Sequence, residues 1–366
     1  LEKAVNACEK IMANTTDFGI YTDGGIDAYG NMFISNNLSK CKEILLFKDF
    51  SYDLNIKHDV AMNVFSYNTD LSRSLMESYL IKKDGKAVPF SSIDNYKTKT
   101  FMETFEDRDP RYRQTFMYPG YIRPGDAKPF IPNLNLGGYT QIKFVPQDPQ
   151  QNQWGCSYND LPLMRLGEIL LIYAEAKAEL GTLTQADLDK SINQLRDRVG
   201  MPHMVLSELT IDPTLEQQYP NVNGNLKNAI LEIRRERRVE LACEGFRKDD
   251  ILRWKVGKLL EMPQGVYIAE LNTVFDVTGD GVTDVGVFLN KESVKPIYKK
   301  KVLYYLEEQG EKTSISLSEG DHGYIILTND ITNPKKFIEP KYYYYPIPKT
   351  QFTYNPNLRQ TIFWDK

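Results

Sequence analysis

Three sets of residues in this chain have types and spacings that could do chemistry. The first is the run Asp276-Val277-Thr278-Gly279-Asp280-Gly281-Val282-Thr283-Asp284. Asp276, Thr278, Asp280 and Asp284 place oxygen donors at positions 1, 3, 5 and 9 of an EF-hand-type loop, with the Val282 carbonyl at position 7 and Gly281 at the turn. Hard oxygen ligands in that order suit Ca²⁺. Position 12 is Val287, which has no carboxylate, so the expected site is weak and completed by water or another loop. The same residues also suit a plain β-hairpin, whose Asp-Gly turn needs positive φ, and both readings stand.

The second set is aromatic. Trp154 lies in QDPQQNQWGCSYND, where no apolar periodicity demands a buried indole. Sugars present apolar CH faces that stack on Trp and Tyr rings. Trp154 is therefore the candidate platform, with Tyr118, Tyr121 and Tyr158 as its candidate neighbours. An indole among polar residues can also fold back as a cap on the core, and that alternative stays open.

The third set is charged. Glu232, Glu236, Glu240 and Glu244 form one row at i,i+4, and Arg234 and Arg238 form another. Like charges at that spacing cost an isolated helix roughly 0.2–0.5 kcal/mol per pair. Such rows make sense when Arg–carboxylate forks tie the helix to its neighbours. Leu226 to Cys243 contains no Gly or Pro and reads as one helix, with Cys243 inside it and Gly245 as its left-handed stop. Arg237, Glu240, Arg247 and Asp250 are expected to be structural.

The order of these residues carries a resemblance. Glu236-Arg237-Arg238, Glu240-Leu241, Glu244-Gly245-Phe246-Arg247, Asp250-Ile251 and Arg253-Trp254 together resemble the signature of the SusD/RagB family, with Lys248 where an aromatic is frequent. Arg165, Glu168, Tyr173-Ala174-Glu175-Ala176 and Gly181 resemble an earlier family motif, with Gly167 in place of its usual Ala. Ile192-Asn193, Arg196, Arg198 and Gly200 resemble the next, and Asp109-Pro110-Arg111 resembles a region where charges fix a turn. Pro346-Ile347-Pro348, Asn355-Pro356-Asn357-Leu358, Gln360 and Trp364 resemble the family's closing motif, from which Thr361-Ile362-Phe363 depart.

That resemblance implies a mainly α fold, in which tetratricopeptide-like hairpins of an α/α superhelix carry a loop-rich region with short β-strands. It implies a surface-exposed lipoprotein of the outer membrane that captures an oligosaccharide or polysaccharide for import through a SusC-like, TonB-dependent transporter. No catalytic residue and no required cofactor are implied; Ca²⁺ at residues 276–284 is the one ion the residues suggest. The chain starts at Leu1 without a signal peptide or lipidation Cys, and reads as roughly the carboxy-terminal two-thirds of a member.

Bulk properties narrow the alternatives. A net charge of −4 without a basic run argues against nucleic acid. The chain has no apolar run of about 18 residues that would span a membrane. Cys8, Cys41, Cys156 and Cys243 match no metal knuckle or redox pair, and His58, His203 and His322 are scattered singly. The 23 Tyr exceed what a core needs and suit a surface meeting polar rings. A glycosidase would need two facing carboxylates in a cleft, whereas Glu168, Glu175, Glu236, Glu240 and Glu244 all sit in helix motifs, where Arg pairing is expected. A peptide- or protein-binding helical scaffold remains the rival class.

The elements expected to position these sets form one domain over residues 1–366. Residues 1–14 make a helix of an incomplete hairpin, 49–160 a loop-rich ligand side, 162–200 and 226–260 two helical hairpins, and 263–366 a short-strand region. Pro162 suits a first helical turn, Thr184 and Asp187 a capping box, and Leu188, Ile192, Leu195 and Val199 one helical stripe. Residues 91–106 read as a short helix, and 285–289, 302–306, 314–317 and 324–327 as strands.

Overall fold

The structure, a computed structural model, describes residues 1–66 and 70–364. The helix Leu166–Glu179 (LGEILLIYAEAKAE) is apolar almost all round, with Leu166, Ile169, Leu170, Leu171, Tyr173, Ala174 and Ala176 buried. A helix of that kind must be covered on several sides. Glu2–Met12 packs on it through Val5 and Cys8, and Lys227–Glu240 packs on it from another side.

Several expected boundaries move, each for a local reason. Pro162 does not open the helix. It lies in the strand Leu161–Arg165, paired antiparallel with Ile44–Lys48 and opposite Phe47, in a two-stranded ladder where a missing N–H is tolerated. The stripe from Leu188 to Val199 is split into Gln185–Asp189 and Ile192–Arg198. Between them, the Ser191 hydroxyl donates to the Asp187 carbonyl at 2.5 Å, offering the backbone an alternative to the helical ladder. The Thr184–Asp187 capping box forms as expected.

The central helix, Lys227–Glu240, stops earlier than its sequence suggests. Cys243 is not inside it; it adopts φ 64° just past the end, and Gly245 follows at φ 90°. Glu244 is thereby taken off the helical row and swung under the neighbouring helix. The return helix Arg247–Arg253 is short and continues into a turn at Gly257–Leu260.

No α-helix forms over residues 91–106. Three 3-10 turns, Phe90–Ser92, Tyr96–Thr98 and Met102–Phe105, take its place. The buried Arg108 collects carbonyl oxygens here, from Thr104 at 2.7 Å, Met76 at 2.6 Å and Tyr79 at 2.8 Å. The Thr104 carbonyl thus serves a guanidinium.

The expected carboxy-terminal strands are present as Val285–Phe288, Val302–Tyr305, Ile315–Leu317 and Gly323–Leu327. Thr273–Phe275 pairs antiparallel with Val285–Phe288, which pairs parallel with Val302–Tyr305. The register Phe275 opposite Val285 closes the first pair directly around Asp276–Asp284. A helical core around Leu170, Leu171 and Ile233 and a strand-side core around Tyr112, Phe116 and Val285 flank the central helix, whose Val239 belongs to the second. Among the described residues no helix is long and apolar enough to cross a membrane.

Candidate functional site: an ion-pair frame and the aromatic loops it holds

The central helix meets its neighbours through charge. Glu240, 0% exposed, accepts from Arg111 at 2.8 Å, Arg165 at 2.7 Å and Arg198 at 2.6 and 2.7 Å. Glu43 bridges Arg165 and Arg198 at 2.9 and 3.0 Å. Glu236 accepts from Arg196 at 2.9 Å and lies 2.7 Å from Arg111, there as an ion pair outside hydrogen-bond geometry. Asp109 caps the helix Pro110–Thr115 and holds Arg111 at 2.7 Å. Glu244 takes a fork from Arg165 and a bond from Lys143 at 2.7 Å.

Five cations (Arg111, Arg165, Arg196, Arg198, Lys143) thus meet five carboxylates (Asp109, Glu43, Glu236, Glu240, Glu244). Burial alone would push the Glu240 carboxyl up, but Arg198, Arg165 and Arg111 outweigh it and hold it well below the usual range. An acid so held stays ionised near neutral pH and cannot donate a proton. Gly167 is explained by this frame, because a Cβ there would lie 2.2 Å from the Arg165 guanidinium and 3.3 Å from Glu240. Glu175 pairs with Arg253 at 2.5 and 2.7 Å and accepts from Trp254 at 2.9 Å. Glu168, expected to pair with Arg, makes no ion pair among the described residues; burial raises its carboxyl. Arg237 meets Asp250 at 2.9 Å, whereas Arg247 finds no carboxylate among the described residues and donates to the Tyr219 hydroxyl at 3.1 Å.

Trp154 is 50% exposed, on a loop stitched to its surroundings. Ser157 and His58 exchange backbone hydrogen bonds at 2.8 and 3.1 Å, and the buried Asp160 accepts from the amides of Leu38 and Phe50 at 2.9 and 3.0 Å. Gly155 N–H donates to Asp59. Tyr158, half-buried, donates to Asp148 at 3.0 Å and sets its ring edge-on to Tyr52 at 5.5 Å. Tyr52 is 56% exposed and has the Lys57 ammonium 4.4 Å from its ring centre. The sequence does not single this residue out, since Phe50, Leu54 and Ile56 around it give its ring no mark of exposure.

Tyr118 and Tyr121 pair edge-on at 5.6 Å. Only Tyr118 offers ligand-accessible surface, with Arg113 at 4.4 Å from its ring. Tyr121 is 3% exposed, and its ring is a packing element, which corrects its place among the stacking residues. It lies on a turn-rich stretch with no periodicity to reveal an inward face.

The acidic loop gathers as its spacing suggests. Asp276, Asp280 and Asp284 each bring a carboxylate oxygen within 4.8 Å of the others. Asp276 accepts amides of Thr278, Gly279 and Gly281 at 2.8, 2.6 and 2.8 Å, and these outweigh burial to keep its carboxyl below the usual value. Asp284 accepts from the Thr278 hydroxyl at 2.9 Å, and the Val282 side chain is 55% exposed. This donor set fits a hard divalent cation with room for water. The loop also touches the aromatic segment: a Cβ on Gly120 would lie 3.3 Å from the Thr278 carbonyl oxygen.

Paired helices locked by buried ion pairs, with aromatic loops and short strands packed on them, define a helical scaffold that carries its loops on a rigid frame. The chain belongs to the SusD family, whose model matches residues 42–364. In structure it is similar to a SusD-like carbohydrate-binding protein of Bacteroides fragilis NCTC 9343, at 21% identity and a TM-score of 0.62. A second SusD-like protein of that organism superposes at 15% identity and a TM-score of 0.61. These matches cover 97% and 99% of this chain, which spans only 60% and 61% of those proteins. No curated protein matches the chain.

Proposed function

We propose that this protein binds an oligosaccharide or polysaccharide at the outer surface of the cell, for import through a TonB-dependent, SusC-like transporter. The carrying observation is Trp154, half-exposed on a loop that buried polar contacts hold in place. A preordered ring loses little conformational freedom on binding a sugar face. Tyr158, four residues on in the same loop, sets its ring against Tyr52, Tyr118 is a further accessible ring, and Asp148, Lys57 and Arg113 supply polar groups beside those rings. Family membership supports the same reading. Glu236, Glu240 and Glu244, held by arginines and Lys143, are unsuited to proton transfer, which supports binding without cleavage. The rival reading, a peptide groove along the helices, is weakened because the facing sides of Leu166–Glu179 and Lys227–Glu240 cover each other. Affinity electrophoresis in a panel of polysaccharides tests the proposal; no retardation by any of them would oppose it.

We also propose that Asp276, Thr278, Asp280, Asp284 and the Val282 carbonyl hold Ca²⁺ weakly. The meeting of three carboxylates in one turn supports this. An ion there would stiffen the loop against which the Tyr118 segment rests.

A further inference from the structure

The ion-pair frame is balanced, but beside it a second group of guanidiniums is not. Arg237 and Arg238 of the central helix and Arg247 of the return helix line a cavity of about 280 Å³, bordered by Asp70, Cys243 and Asp250. Among the described residues Arg238 donates only to hydroxyls, Ser78 at 3.1 Å and Ser74 at 2.8 Å. Among the described residues Arg247 likewise has only the Tyr219 hydroxyl as a hydrogen-bond partner. Arg237 is 6% exposed, and its Nη1 has no hydrogen-bond partner among the described residues.

Of the two bordering carboxylates, Asp250 already answers Arg237, so among the described residues it is Arg238 and Arg247 that lack a carboxylate. Asp70 accepts from the Gly138 amide at 2.8 Å and the Thr140 hydroxyl at 3.0 Å. Asp250 is shared between Arg237 at 2.9 Å and Arg253 at 2.8 Å. Burial, and then repulsion from Arg247, depress the Arg238 guanidinium to about 9, the sign of a cation short of counter-charge.

We propose that this cavity binds a small oxyanion, a sulfate or carboxylate group either free or carried on an acidic sugar, held by Arg237, Arg238 and Arg247. A guanidinium presents its N–H groups in a fork that matches two oxygens of such a group. One water occupies about 30 Å³ of liquid, so the cavity has room for sulfate or a single uronate ring. The site does not depend on glycan capture at Trp154.

The test is the melting midpoint of the wild-type chain in sodium sulfate, sodium glucuronate or glucose, with ionic strength equalised by sodium chloride. Sulfate or glucuronate should raise it by about 2–4 °C at saturation, and glucose should not. Arg247→Gln and Arg238→Gln should each lose that rise. Without anion neither should melt lower than wild type, because each relieves the repulsion between the two guanidiniums. A rise with sulfate alone marks a free oxyanion, and one with glucuronate marks an acidic sugar; both uphold the site. No rise in the wild type overturns it, as does a rise of equal size in both variants, which is general salt stabilisation. Calorimetric titration of the wild type with glucuronate and with sulfate reads the site without any variant, and no heat from either overturns it.

Discussion

Arg165 and Glu244 are joined by a two-pronged fork, Nε to Oε2 at 2.7 Å and Nη2 to Oε1 at 2.8 Å, although Glu244 lies beyond the end of the central helix. The left-handed turn at Cys243 makes the fork reachable. It binds the carboxy end of one helix to the residue that starts another, and so fixes how the two cross.

Removing the hub of this frame should be costly. Glu240→Gln leaves Arg111, Arg165 and Arg198 with too few negative partners in a buried setting. We expect a loss on the order of 3–5 kcal/mol of stability, read by urea denaturation. Arg237→Ala should cost on the order of 3 kcal/mol, because it leaves the buried Asp250 with Arg253, which is 42% exposed, as its one cation among the described residues. Unchanged midpoints would show that the network contributes little.

Acid should loosen the protein through the same groups. The Glu240 and Glu244 carboxyls are depressed in the folded state because arginines and Lys143 outweigh their burial. The unfolded chain therefore binds more protons, and stability rises with pH across that window. Their contribution is full above the unfolded value of about 4.3 and is lost as pH falls through the lower folded values. Asp70 works in the opposite sense, since burial raises it to about 6 and its ionisation opposes folding. A melting midpoint that stays flat from neutral to strongly acidic pH would contradict the ion-pair account.

Gly167→Ala tests packing against charge. The added Cβ would meet the Arg165 guanidinium at 2.2 Å. We expect destabilisation of about 1–3 kcal/mol by overpacking. A variant as stable as wild type would mean that Arg165 can shift freely.

Trp154→Ala should weaken glycan binding by roughly 1–3 kcal/mol, by analogy with base–aromatic stacking, with the melting midpoint unchanged. Retardation equal to wild type on the best-bound polysaccharide would remove Trp154 as the platform.

Calcium titration by calorimetry should give weak heat with the wild type and none with Asp280→Ala, which removes one of three converging carboxylates. A silent wild type would leave the run a simple hairpin turn.

By itself, the sequence determined the two long helices at Leu166 and Lys227, the capping box at Thr184, the strands near Val285 and Val302, and the need of the Glu rows for partners. Those features depend on neighbours within a few residues, where spacing is geometry. The tertiary structure decided which partners answer. Arg111 reaches Glu240 from the short helix Pro110–Thr115, 129 residues away, and Lys143 meets Glu244 across 101 residues. Spacing along a chain holds no record of such distances. It decided too that Tyr121 turns inward while Trp154 does not, since in a stretch without periodicity only the packed neighbours assign a side to each ring. The guanidinium cavity belongs to this second kind. Arg237 and Arg238 are adjacent in sequence, but whether an arginine finds a carboxylate or only a hydroxyl depends on which distant segments fold against it.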